Sequence, residues 1–180
     1  MMSVITCHRY RAALLGIALA WGLPACSPAL NWRDTRPPGS VVSALFPCKP
    51  DHHIRRVVLA GVERAMQMSS CTAVDSVYAL SHIDVGEAGQ VTPVLQALRD
   101  AAAGNMGGPT AVKGAHAVPG MTPNPLAQRL GWSGTRADGS TLAAQATFFT
   151  QGTRVYQATV VGTRLDVEAV DTFFSGLKLP

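Results

Sequence analysis

Polar chemistry in this chain concentrates in one short stretch, Lys49-Pro50-Asp51-His52-His53-Ile54-Arg55-Arg56, where two imidazoles and a carboxylate could hold a transition metal. Adjacent histidines on a strand point to opposite faces, however, and Lys49, Arg55 and Arg56 repel a cation. The stretch therefore reads as a solvated turn, and no metal is expected. Its positive charge also suits anionic lipid headgroups if the chain is held beside a membrane. His82 and His116 stand alone in the sequence, and each reads as a strand-face or loop residue rather than a general base. A nucleophile needs a positioned base and a charge-stabilising site. Gly131-Trp132-Ser133-Gly134 lacks the frame of a nucleophile elbow, and Gly104-Asn105-Met106-Gly107-Gly108 follows a helix instead of preceding one, so it forms no phosphate cradle. The pattern predicts no enzyme and no cofactor.

The cysteines carry the remaining chemistry. Cys26 stands after a basic start (His8, Arg9, Arg11), an apolar run over 12–23 and the small Ala25, the layout of a secretory signal. The run covers only about a dozen residues, whereas a membrane-spanning helix needs roughly 20. Leu23-Pro24-Ala25-Cys26 resembles the lipobox of bacterial lipoproteins, with Pro24 an uncommon occupant of its position. That resemblance implies that the segment before Cys26 is removed and that Cys26 carries acyl chains, palmitate among them. Cleavage after Ala25 by the general signal peptidase is the alternative. Ser27 is compatible with sorting to the outer rather than the inner membrane in that family.

Cys7 leaves with the signal and Cys26 is taken by lipid, so an oxidising compartment receives Cys48 and Cys71, which secreted chains usually pair. The bridge would close a loop of roughly 23 residues, worth about 3 kcal/mol by chain entropy. A redox role needs a close Cys-x-x-Cys or a thiolate-stabilising site, and the sequence has neither. Arg9 and Arg11 also leave with the signal, so 13 of the 15 basic residues remain against 11 acidic ones. No nucleic-acid partner follows from so small an excess.

The elements that must position these groups follow from periodicity. Residues 1–25 read as the signal, 26–40 as a proline-bearing tether, and 41–180 as a single α+β domain. Extended runs are predicted over 41–46, 55–59, 63–69 and 76–84, with turns at 47–51, 60–61 and 71–75. In the last run Val77, Ala79, Ser81 and Ile83 share one face and Tyr78, Leu80 and His82 the other. A helix is expected with Thr92 as N-cap, Pro93 at its first position, an apolar face of Val94, Leu95, Leu98, Ala101 and Ala102, and a stop at Gly104. The glycines and prolines of 104–125 predict a long exposed connection with one short strand near 111–117. A meander over 126–133, 141–150 and 154–161 turns at Asp138-Gly139 and Gln151-Gly152. Asp166 caps a last helix whose Val170, Phe173, Phe174 and Leu177 follow helical spacing. The sum is an antiparallel sheet of about seven strands packed by two main helices.

Phe46-Pro47 at the end of the first strand, Asp84 before the mid-chain helix, Arg154-Val155-Tyr156 and Phe173-Phe174-Ser175-Gly176-Leu177 are similar to the PsbP-like α/β/α sandwich. Ser27 to Arg33 resembles a stretch that bacterial envelope lipoproteins carry after their acylated cysteine. These resemblances imply a non-catalytic lipoprotein of the cell envelope, anchored by its lipid and facing the periplasm, serving as an accessory or binding module for an envelope protein. The alternative is a periplasmic carrier of a small ligand in a cavity between sheet and helices, lined by Tyr78, Phe148, Tyr156 and Phe173.

Overall fold

The structure, a computed structural model, describes residues 30–106, 110–135 and 138–180. The chain runs through β1 (Arg33–Thr35), β2 (Ala44–Phe46), β3 (Asp51–Leu59), β4 (Val62–Ala73), β5 (Ser76–Asp84), α1 (Ala88–Met106), β6 (Thr110–Ala115), β7 (Gln128–Thr135), β8 (Thr141–Gln151), β9 (Arg154–Gly162) and α2 (Val167–Ser175). It is an α+β fold. Seven strands form one sheet in the order β3-β4-β5-β9-β8-β7-β6, every neighbouring pair antiparallel.

The sheet consists of two meanders, β3-β4-β5 and β6-β7-β8-β9, zipped together where β5 meets β9. Those two strands lie at the centre and are covered on both sides, so their sequences must be apolar on both faces. Ile83 opposite Val155 looks toward α1, while Leu80 opposite Ala158 looks toward α2. One core joins α1 to β7, β8 and β9 through Leu95, Leu98, Trp132, Phe148 and Val155. The other packs Phe173 and Phe174 of α2 with Phe46, Tyr78, Phe149 and Tyr156. Phe173 meets the edges of both Phe46 and Tyr78, with ring centres 5.2 and 5.4 Å apart, an arrangement the aromatic quadrupole favours.

Several boundaries differ from the sequence expectation. The stretch from Leu30 to Ser40, read as part of a tether, is docked on the body: β1 pairs with β2, and Leu30 and Trp32 pack against the second core. Trp32 is apolar area available to cover that core, and covering it outweighs leaving the prolines around it solvated. The α1 helix begins at Ala88, ahead of the expected cap, so Pro93 lies in its second turn, where its missing amide leaves the exposed Gly89 carbonyl without a helical donor. Val91 thereby joins the buried face and Ala101 is left exposed. Thr92 accepts a hydrogen bond from Asn124 at 3.0 Å rather than capping the helix. The helix also runs past Gly104 to Met106.

The predicted turn over 71–75 shrinks to Val74-Asp75, both at positive φ, because Cys71 and Ala73 pair with Tyr78 and Ser76 in the β4–β5 ladder. Within the glycine-rich stretch, β6 forms the far edge of the sheet. The connection after it is held down by buried Val118 and by a bridge between Thr122 and Thr150. At the last helix, Asp166 accepts from the Ala169 amide at 3.1 Å as its N-cap.

Candidate interaction surface

The basic cluster lies on β3. Residues 52–54, expected in a solvated turn, belong with the extended run expected over 55–59 to one nine-residue strand at the edge of the sheet. The register with β4 runs without interruption from Asp51 opposite Ser70 to Leu59 opposite Val62. A two-residue turn at Ala60-Gly61, with φ of 50° and 77°, closes it, the conformation that suits the twist of a hairpin. The pleat separates His52, Ile54, Arg56 and Val58 from His53, Arg55 and Val57. The two histidines are therefore on opposite faces. Among the described residues no three His, Cys, Asp or Glu side chains come together as a metal site would require.

Nearly the whole strand is open to solvent, with Ile54 at 72% and Val58 at 71% exposure. Arg56 makes a loose ion pair with Glu63 at 3.7 Å, both side chains exposed. His52 Nδ1 and Ser69 Oγ are hydrogen-bonded at 2.8 Å. The pair borders a small cleft of about 180 Å³ with Pro38, Gln67 and Ile54. A serine beside an imidazole has the elements of a nucleophile and its base, but no ion pair among the described residues reaches His52 to orient it. Sequence reasoning missed this pair, since only the β3–β4 register brings positions 52 and 69 together.

Two further polar groupings sit inside. His82 is buried on β5, its ring stacked on Tyr156 of β9, which in turn stacks on Phe149 of β8. Burial lowers the His82 pKa, outweighing the Gly39 backbone, which favours the charged ring. Burial likewise raises the Tyr156 hydroxyl above its usual range, although Ser40 and Val41 lie beside it. Near α2, the Arg129 guanidinium lies over Phe174 at 4.8 Å, pairs with Asp171 at 2.8 Å and donates to Gln145 at 2.8 Å. His116 rests against the same Phe174, its pKa lowered chiefly by burial. These groups bind one another and the core.

Cys48, in the connection between β2 and β3, is disulfide-bonded to Cys71 of β4. The bridge ties the start of the exposed strand to the sheet. Cys26 and the signal segment lie outside the described residues, and no described helix is long and apolar enough to cross a membrane. The four aromatic residues expected to line a ligand cavity do not share one. Tyr78, Tyr156 and Phe173 are packed in the α2-side core and Phe148 in the α1-side core, all buried. A different groove, of about 460 Å³, opens between the second half of α1 and strands β3, β4, β5 and β9, lined by Met66, Met68, Leu98 and Gln157.

The fold and this surface define a disulfide-stapled α+β fold with a long, solvent-exposed basic edge strand. No family model, curated protein or solved structure matches the chain.

Proposed function

We propose that this chain is an exported, non-catalytic module of the bacterial cell envelope, lipid-anchored through Cys26 and built on a PsbP-like domain, that engages a protein partner from the periplasmic side. The observation that carries this reading is the Cys48–Cys71 bridge, since such bonds persist in oxidising compartments and are rare in reducing ones. The lipobox-like Leu23-Pro24-Ala25-Cys26 supports the anchor. The exposed basic strand supplies a surface for a partner.

Intact mass of the membrane-extracted protein, before and after reduction, tests the anchor and compartment. The expected species lacks residues 1–25, carries acyl chains on Cys26, and gains the mass of two hydrogens on reduction. A chain that keeps those residues, or whose thiols are already free, overturns it. Crosslinking in intact envelopes tests the binding role: a reproducible protein partner supports it, and none counts against it. The groove between α1 and strands β3, β4, β5 and β9 favours a second reading, a carrier of an apolar ligand. Native mass spectrometry of protein purified from its source would show a retained small molecule in that case.

A further inference from the structure

We propose that β3 binds an acidic, extended protein segment as an eighth strand of the sheet. This rests on the reading of the chain as a protein-binding module and names the site and the chemistry of its partner.

The two edges of the sheet are built differently. The β6 edge is six residues long and carries a bulge between Val112 and Gly114, with Gly114 at φ 126°. Bulges and short length are devices that stop an edge from recruiting another strand. The β3 edge has nine residues, no proline, no glycine and no bulge. Because Leu59 and Val62 close a two-residue hairpin, they form a hydrogen-bonded pair, and the alternation assigns 57, 55 and 53 to β4 as well. The amides and carbonyls of His52, Ile54, Arg56 and Val58 are thereby turned outward, with no strand among the described residues to receive them.

The side chains on the same positions specify the partner. Ile54, Arg56 and Val58 alternate on one face, an exposed cation between two exposed apolar residues. An added strand would place apolar, acidic and apolar side chains over them at every second position, and a further acid beside Arg55 on the other face. The cleft at Pro38, His52 and Ile54 gives room for one anchoring side chain. Lys49 and Arg55 have no ion pair among the described residues, and the Arg56–Glu63 contact is long enough to exchange. Pairing with a second copy of β3 about the middle of the strand would oppose arginine to arginine, which like-charge repulsion disfavours. Charge complementarity thus selects a different, acidic chain. This is the addition of an extended peptide to a free sheet edge.

The test uses the whole mature chain with its disulfide intact, and as probe a synthetic peptide with Val-Thr-Glu-Glu-Val at its centre, which as an antiparallel strand sets valine, glutamate and valine over Val58, Arg56 and Ile54 on one face and a second glutamate beside Arg55 on the other. Binding is followed by fluorescence anisotropy. The expected result is saturable binding that the same peptide with lysine in place of glutamate does not show, and that N-methylation at alternate residues abolishes. Arg55→Glu with Arg56→Glu should weaken it by about tenfold or more. Val58→Pro keeps every charge and removes one outward amide that β4 does not use, so it should block binding while circular dichroism stays unchanged. Equal binding of the N-methylated peptide, or of Val58→Pro, would overturn strand addition. So would anionic vesicles that bind the chain and displace the peptide regardless of methylation, since that marks the edge as a membrane-facing patch. If crosslinking still recovers a protein partner with the double arginine variant, the module reading stands and this site falls. If no partner is recovered from any variant, the module reading itself falls.

Discussion

His82 and Tyr156 stand directly opposite each other on β5 and β9, their rings stacked with centres 5.8 Å apart, in the layer beneath α2. Tyr156 continues the stack onto Phe149 at 4.8 Å, so three neighbouring strands each contribute one ring. An imidazole takes part in such a stack at little cost only while neutral, because a charge buried there loses its hydration. The buried Nε2 of His82 has no hydrogen-bond partner in ordinary geometry among the described residues.

Stability should therefore fall as the medium is acidified. Burial lowers the pKa of both His82 and His116, so the unfolded chain binds protons that the folded one does not. Their contribution is fully present above the unfolded value of about 6.5 and is lost as pH falls through the lower folded values. Each such group contributes a slope of up to about 1.4 kcal/mol per pH unit within that window. Urea unfolding measured at steps from pH 7.5 to about pH 5 should show this slope, and His82→Phe should reduce it. An unchanged slope in that variant would show that His82 is charged in the fold.

Removing the bridge should cost stability without rearranging the sheet. With Cys48→Ala and Cys71→Ala together, the loop of 23 residues is no longer closed in the unfolded chain, a loss of about 3 kcal/mol by the chain-entropy estimate. Urea midpoints of the two forms give the number. Faster hydrogen exchange should be concentrated in β3 and its connection to β2, which the bridge anchors.

How legible each part was in the sequence follows from how many faces it buries. The α2 helix shows in its Asp166 cap and the spacing of Val170, Phe173 and Phe174, because one face is wholly buried. The β5 strand was legible to the residue, its Tyr78 and Leu80 side being core. In β3 neither face is core over 51–56, so no apolar period marks its first residues, and the sequence shows an extended run only from Arg55 onward. Nothing local records that β5 and β9 are partners, since that pairing joins residues such as Ile83 and Val155 across α1 and two hairpins. The bridge could be read by elimination among the cysteines, whereas the Ser69–His52 contact exists only through register.

The β4–β5 turn offers a substitution that should stabilise. Val74 sits at φ 45° with Asp75 at 58°, a left-handed conformation that costs an ordinary side chain roughly 1–2 kcal/mol and a β-branched one at least as much. Val74 is also 56% exposed, so little packing is lost with it. Val74→Asn, a residue that tolerates this conformation, should raise stability by about 1 kcal/mol. The check is the melting temperature alongside the unfolding midpoint, and an unchanged or lower value would mean that Val74 packs better than its exposure indicates.

The docked position of β1 can be tested at Trp32. Its ring packs against the core that holds Phe46 and Phe173, and the Asn31 amide donates to the Pro47 carbonyl at 2.8 Å. If this segment were only a spacer, Trp32→Ala would leave stability unchanged. Packed as it is, half-buried, the side chain should be worth about 1–3 kcal/mol, the range for burying part of a large apolar group. The same variant should deprotect β2 amides in hydrogen exchange, since among the described strands only β1 pairs with β2. Indole fluorescence of the chain without residues 1–25, which carry Trp21, gives a third reading, because Trp132 is buried in the opposite core. The red-shifted part of the emission should disappear with Trp32 alone.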